Sequence, residues 1–381
     1  MESLAQELLE AIIDYVPPPH ADSCSLVARR WRRRSQQRHF SHLRFFREEE
    51  VVRWCENIPQ DPNGIPSYAD DVEFQTIDRW CDPTLLTRAL KCFSRVKTLR
   101  ICGTVVPSGE VHDIVSSGAF GGELTSLALL NVVSPPPPLL PLILLFLSLR
   151  ELRIGPMPTP PAFMLPEKTW RGEPLRTLRL SRLSPMEFEF IVLCGITSRR
   201  ISLDVGDVMI EKIIACSSEL VSELVLNGTR SVEFCARGVI LTSLPDIFPR
   251  VARPTGGFPP VVHLPPLPAL TTMEFMIRSR SPSARLVDIL SCIRSAPALS
   301  SITFKFLAWH VVGGIPTVPS QWTNVDKWLA RLATHVAARR SLMVVILLRS
   351  KGDSRWEERL PEFRKAGGQL RVEVDTDSEW D

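Results

Sequence analysis

No apolar run in this chain is long enough to cross a membrane. The longest, Leu139–Leu149, has eleven residues, whereas a span needs about twenty; it reads as a buried helix or strand. A charged-then-apolar leader is missing as well, because Glu2 and Glu7 stand where its apolar centre would run. Charge of one sign is also lacking. Lys+Arg number 45 and Asp+Glu 42, a net +3, too slight by itself to argue for nucleic acid. The nine cysteines are odd in number and scattered from Cys24 to Cys292, with no Cys-x-x-Cys pair. That pattern argues for reduced thiols in the cytosol or nucleus, against a secreted disulfide framework or a zinc site.

Catalytic and cofactor motifs are missing too. The chain has no Gly-x-x-x-x-Gly-Lys, no Gly-x-Gly-x-x-Gly, no Gly-x-Ser-x-Gly elbow and no His-Glu-x-x-His. The seven histidines are dispersed; His39 and His42 are three apart without a nearby carboxylate or thiolate partner. Paired carboxylates such as Asp70 and Asp71 read as solvated charges. The expectation is a protein that is not an enzyme, with no cofactor and no metal.

What is present is apolar patterning. The chain is 44% apolar, enough for a sizeable core, and 381 residues accommodate one large domain plus a small one. Leu4, Leu8, Ile12 and Val16 are four apart, and Leu9 and Ile13 widen the stripe, which makes an apolar helix face. Pro17-Pro18-Pro19 ends that helix. A second helix is expected to carry Cys24, Val27 and Trp31 on one side. So small a piece buries little surface alone, so it is expected to pack on the rest of the chain or on a partner.

These residues resemble an F-box. Leu4, Glu7, Leu8, Ile12, Ser25, Leu26, Val27, Arg29 and Trp31 match the family pattern, and Phe40 and Leu43 close it; Ala5 replaces the usual proline and Ala28 a common cysteine. The resemblance implies that Leu4, Leu8, Ile12, Leu26, Val27 and Trp31 form the interface with a Skp-type adaptor and its supporting core. The basic run Arg29, Arg30, Arg32, Arg33, Arg34 and Arg38 falls where that family has its own positive residues. It reads as a solvated helix face, with nucleic-acid binding as the competing reading.

Beyond residue 90 a Leu-x-x-Leu-x-Leu pattern recurs. Leu99, Leu127, Leu152, Leu178, Leu203 and Leu224 follow one another at 28, 25, 26, 25 and 21 residues, with later copies about Met273 and Ile302 and a closing one at Leu342, Val345 and Leu347. The gap from Leu224 to Met273 leaves room for a degenerate copy near Val232, and Val72 and Phe74 for a poor first one. Such a period makes short strands that bury their apolar side only by stacking. Helical spacing is read at Leu85–Phe93, Val208–Ile214, Leu286–Ile293 and Val325–Val336, with a further helix at Trp356–Phe363 and a last strand at Leu370–Val374. The repeats resemble the irregular leucine-rich repeats behind F-boxes, particularly in large fungal families. Most copies lack the asparagine that closes a regular strand; Asn131 and Asn227 are partial exceptions. Proline clusters at 135–138, 156–166 and 245–268 read as extended loops.

The expected fold is therefore α/β: a helical F-box-like domain at 1–46, a linker and degenerate first repeat at 47–90, a leucine-rich solenoid with a parallel sheet at 91–310 interrupted by the proline-rich loop at 245–268, and a C-terminal cap at 311–381. The resemblance implies the substrate-recruiting subunit of a Skp–cullin–F-box ubiquitin ligase, cytoplasmic or nuclear, with a protein substrate on the repeats. A leucine-rich binding module outside any ligase is the alternative. Side chains alternate faces along a strand, so those flanking each middle leucine line the binding face. Arg100, Arg153 and Arg179 make its early part positive; Asp204, Glu223 and Glu274 make its later part negative.

Overall fold

In a computed structural model the chain forms two compact units, Met1–Ile196 and Thr197–Asp381. The structure describes residues 5–17, 20–57, 64–75, 84–93, 95–103, 113, 122–132, 140–155, 169–181, 183, 185–204, 210–227, 266–277, 296–306, 319–336, 341–348 and 356–374. Both units are α/β with parallel strands. Among the described residues no helix is long and apolar enough to cross a membrane. The three proline clusters, apart from residues 266–268, and the helix expected at Leu286–Ile293 lie outside the described residues.

The first unit opens with α1 (Gln6–Tyr15), α2 (Ala21–Val27) and α3 (Arg29–Phe40). Helix α1 stops as the prolines require: Val16 is extended, with ψ 130°, because the ring of Pro17 excludes the helical conformation from its predecessor. The single second helix expected through Trp31 is in fact two. Ala28 is fully extended, φ −156° and ψ 150°, and it separates α2 from α3.

Six strands follow in the order β1 (His42–Phe45), β2 (Asp71–Gln75), β3 (Thr98–Cys102), β4 (Ser126–Leu130), β5 (Glu151–Ile154) and β6 (Leu175–Leu180), each parallel to the next. Leu99, Leu127, Leu152 and Leu178 fall on one register line, and Ile101, Leu129, Ile154 and Leu180 on another. All are buried. Burying one such side chain contributes about 1.5–3 kcal/mol. The boundaries expected at 46 and 90 do not divide the sheet: β1 precedes the first and β2 lies between them, because Phe45 and Phe74 are register partners stacked at 5.2 Å. Helices α4 (Glu48–Asn57) and α5 (Thr84–Cys92) cover that end of the core with Val51, Trp54, Leu85, Leu86, Ala89 and Leu90. In the apolar run at 139–149, Leu140–Leu145 form a short 3-10 turn, and Ile143, Phe146 and Leu149 are buried. Helix α6 (Pro185–Leu193) closes the unit.

One backbone device repeats through this sheet. The carbonyls of Ser41, Asp70, Lys97, Thr125 and Arg150 each accept two successive amides entering the next strand, at 2.7–3.1 Å. Residues with positive φ end two strands: Gly103 at 74° and Asn131 at 53°. Asparagine is the side chain that best tolerates this left-handed geometry.

The second unit repeats the plan with β7 (Ser198–Asp204), β8 (Glu223–Asn227), β9 (Thr272–Ile277), β10 (Ser301–Phe306), β11 (Met343–Leu348) and β12 (Gln369–Val374), again parallel and in chain order. Three expectations change. Strands β8 and β9 are direct neighbours, so no copy near Val232 intervenes; Val232 itself lies outside the described residues. Leu224 pairs with Ile201, not Leu203, a slip of two. In the last copy Leu342, Val344 and Ile346 are buried, not Val345 and Leu347; a slip of one turns a strand over.

Residues 311–381, expected to be a cap, supply two of the six strands. Helix α7 (Ile210–Cys216) follows β7, and α8 (Pro319–Val336) precedes β11. The expected helix at 356–363 is two short ones, α9 (Trp356–Arg359) and α10 (Pro361–Lys365). The buried Asp326 carboxylate on α8 accepts the amides of Glu362 and Phe363 at 3.0 and 2.8 Å, and so satisfies donors that the start of α10 leaves open. Hydroxyls reinforce the strand entries: Thr271 Oγ1 donates to the Ser222 carbonyl at 3.0 Å, and Ser300 Oγ to the Thr271 carbonyl at 3.1 Å.

Candidate functional site

Two surfaces carry the residues singled out by sequence. The first is on α1 and α2. The apolar stripe of α1 is split in two by its packing. Leu9 and Ile13 are buried with Ala21, while Leu8 and Ile12 are 56% and 44% exposed, with Tyr15 at 89%, Leu26 at 87% and Val27 at 66%. Residues four apart share a helix face, so Leu8 and Ile12 stand together and Tyr15 extends their row. Isolated apolar residues on a surface are ordinary; here several are exposed on two successive helices. Leu4 lies outside the described residues, and Trp31 is half-buried. Sequence reasoning missed Tyr15, although its spacing from Ile12 was available.

The helices behind this patch are held by charge. Arg34 donates to both carboxylate oxygens of Asp14, at 2.9 and 2.6 Å. The Arg38 guanidinium donates to the Val16 carbonyl at 2.7 Å, a group freed by the end of α1. The hydrogen bond from Arg34, then the charges of Arg34 and Arg38, hold the Asp14 carboxyl below its ordinary range against the opposing effect of burial. Two of the six arginines in the basic run therefore have internal partners.

The second surface is the polar face of the strands. In the first unit one register row reads Arg44, Glu73, Arg100, Ala128, Arg153, Arg179. Its early part is internally balanced. Glu73 lies between Arg44 at 3.4 Å and Arg100 at 3.6 Å, and Arg100 also reaches Asp71 at 3.1 Å. Arg153 and Arg179 are neighbours in register and exposed. Ala128 before them is small and buried.

In the second unit Glu223 pairs with Arg200 at 3.4 Å and Glu274 with Lys305 at 3.3 Å. The expected negative half is thus compensated at two of its three acids. The backbone of Asp204 is opposite Asn227; its side chain lies outside the described residues. The slip of two at β7 concealed Arg200, which the register puts beside Glu223. Among the described residues no group of His, Cys, Asp and Glu has the arrangement to hold a metal ion. A scan against protein-family models matches none, and a search of the curated proteins finds no match.

Proposed function

We propose that this chain is the substrate-recruiting subunit of a Skp–cullin–F-box type ubiquitin ligase, working in the cytoplasm or nucleus. Its first three helices act as the F-box and dock the adaptor, and its strands form a leucine-rich solenoid whose polar face holds a protein substrate. The observation that carries this reading is the exposure of four aliphatic side chains, Leu8 and Ile12 on α1 and Leu26 and Val27 on α2, at the positions the F-box resemblance assigns to adaptor contact. Aliphatic anchors of this kind supply most of the energy of an interface. The chain itself does no chemistry; it raises the concentration of a substrate lysine near the conjugating enzyme. The engagement of Arg34 and Arg38 within the helices favours this over nucleic-acid binding.

The test is a double change, Leu8→Asp with Ile12→Asp. Both side chains are exposed, so stability is expected to stay within about 0.5 kcal/mol while capture of the adaptor in a pull-down is lost. Undiminished capture by the folded variant rejects the reading. Capture of no adaptor by the native chain, with protein partners retained, moves the assignment to a leucine-rich module outside a ligase. For the substrate face, reversing Arg153→Glu and Arg179→Glu is expected to remove co-purifying proteins without changing adaptor capture. An unchanged partner set rejects that assignment.

A further inference from the structure

Strand β12 pairs with β11 on one side, and among the described residues no strand lies on its other side. The core of the second unit reaches it only half covered. One register line runs Phe304, Ile346, Val372; the first two are 0% exposed and Val372 is 40% exposed. Val374, on the same face, is 41% exposed, and Leu370 is half-buried. Strand β1 of the first unit is unlike this, since its Phe45 is buried against Trp54 of α4.

An open edge strand invites pairing, and proteins guard such edges with proline, lysine or a charge turned toward the core. The sequence of β12, Gln-Leu-Arg-Val-Glu-Val, has none of these. Its two charges, Arg371 and Glu373, share the polar face and form an ion pair. Backbone polar groups alternate sides along a strand, and the entry bond fixes which side each takes. The Gln369 amide donates toward β11, to the Leu342 carbonyl at 2.9 Å. The amides and carbonyls of Arg371 and Glu373 therefore also face β11, and those of Leu370, Val372 and Val374 face outward.

The strand is its own complement. Let a second copy run antiparallel with Val372 opposite Val372. Leu370 then meets Val374 of the other copy, and all these residues have outward backbone groups, so each pair exchanges both hydrogen bonds. Arg371 meets Glu373 at the closer positions between those bonds, about 4.5 Å apart at Cα. The polar face becomes a square of alternating charges, and the apolar face continues the core line from one copy into the other. Charge selects this register. A shift of two residues keeps the hydrogen bonds but sets Arg371 against Arg371, or Glu373 against Glu373, and like charges directly opposite are destabilising. A shift of one puts apolar side chains against charged ones.

We propose that β12 is a dimerisation edge, on which a second copy of this chain pairs antiparallel about a two-fold axis at Val372.

The interface is isologous, so it closes at two copies. Main-chain hydrogen bonds supply the affinity in this kind of strand addition. One strand is small for an interface, so the dimer forms and dissociates with concentration.

The experiment is sedimentation equilibrium of the full chain across the micromolar range, where a monomer–dimer equilibrium is expected. Arg371→Glu sets carboxylates opposite each other at both charge pairs and is expected to weaken association about tenfold or more. Arg371→Glu combined with Glu373→Arg exchanges the signs and is expected to restore it. Val372→Pro removes the outward amide at the axis and spares the bonds to β11, as prolines on edge strands do; it is expected to abolish the dimer while circular dichroism stays native. A further measurement needs no variant. As concentration rises, hydrogen exchange is expected to slow at the amides of Leu370, Val372 and Val374, with Arg371 and Glu373 little changed. A chain that stays monomeric throughout the range, a dimer indifferent to Arg371→Glu, a double exchange that fails to restore association, or protection confined to other segments overturns the proposal.

Discussion

The two units build their cores alike and their polar faces differently. In the first, Phe45 stacks on its register partner Phe74 with planes 15° apart, and Trp54 meets Phe45 edge-on at 74°. In the second, Phe275 stacks on its register partner Phe304 at 16°, and Trp322 meets Phe304 edge-on at 82°. The same solution, two phenylalanines from adjacent parallel strands and a tryptophan from a helix, is reached from unrelated local sequences. On the polar faces the likeness ends. The first unit clusters Arg44 and Arg100 about Glu73 and sets Arg153 beside Arg179; the second forms separate pairs, Arg200 with Glu223 and Lys305 with Glu274. Shared physics dictates what the strands bury, and the exposed rows are where the two units are free to diverge.

The sharpest way to break the core likeness is to remove its edge-on ring. Trp54→Ala and Trp322→Ala are each expected to cost about 3–5 kcal/mol, measured by urea unfolding. A cost confined to one of them would end the equivalence. A smaller change sharpens the difference. Asp326→Ala removes the buried acceptor of the Glu362 and Phe363 amides; the first unit's carboxylate with two successive amides, Glu50 accepting from Phe46 and Arg47, is more exposed. Leaving buried donors unmet costs about 1–3 kcal/mol, and faster hydrogen exchange is expected at Glu362 and Phe363. The smallest effect belongs to the first unit. The Asp14 carboxyl titrates lower folded than unfolded. Its contribution is therefore present above the unfolded value of about 3.9 and disappears as pH falls through the lower folded one. The pair is more than a third exposed, so screening leaves a fraction of a kcal/mol. Asp14→Asn is expected to lower stability by that fraction near neutrality and to flatten the profile in the acidic window, where the native chain loses the same contribution.

Strand positions were legible because buried and polar residues alternate with period two while the copies recur every 21 to 28 residues. Phase was lost where that alternation fails. Met343–Leu348 is apolar at every position, so nothing in it distinguishes the buried side from the other. In Ile201-Ser202-Leu203-Asp204-Val205 two phases are equally good, and the partner strand decides for Ile201. Of the candidate sites, the F-box pattern marked Leu8, Ile12, Leu26 and Val27, but it did not separate them from Leu9 and Ile13, since helical spacing gives a face without saying what covers it. Arg153 and Arg179 were legible as neighbours because their strands kept phase.

The carbonyls that accept the entering amides have a consequence for how this protein can change over generations. The Ser222 carbonyl takes the Thr271 amide at 2.9 Å across a separation of 49 residues, and the Lys97 carbonyl takes the Thr125 amide at 2.8 Å across 28. The join is the same although the intervening chain differs almost twofold. Strand spacing is therefore independent of connector length, so segments can be inserted or deleted between strands without altering the ladder. Closing a longer loop adds only about 0.6 kcal/mol per doubling. Such a ladder gives a lineage a way to vary its connecting loops widely while the frame that carries them stays constant.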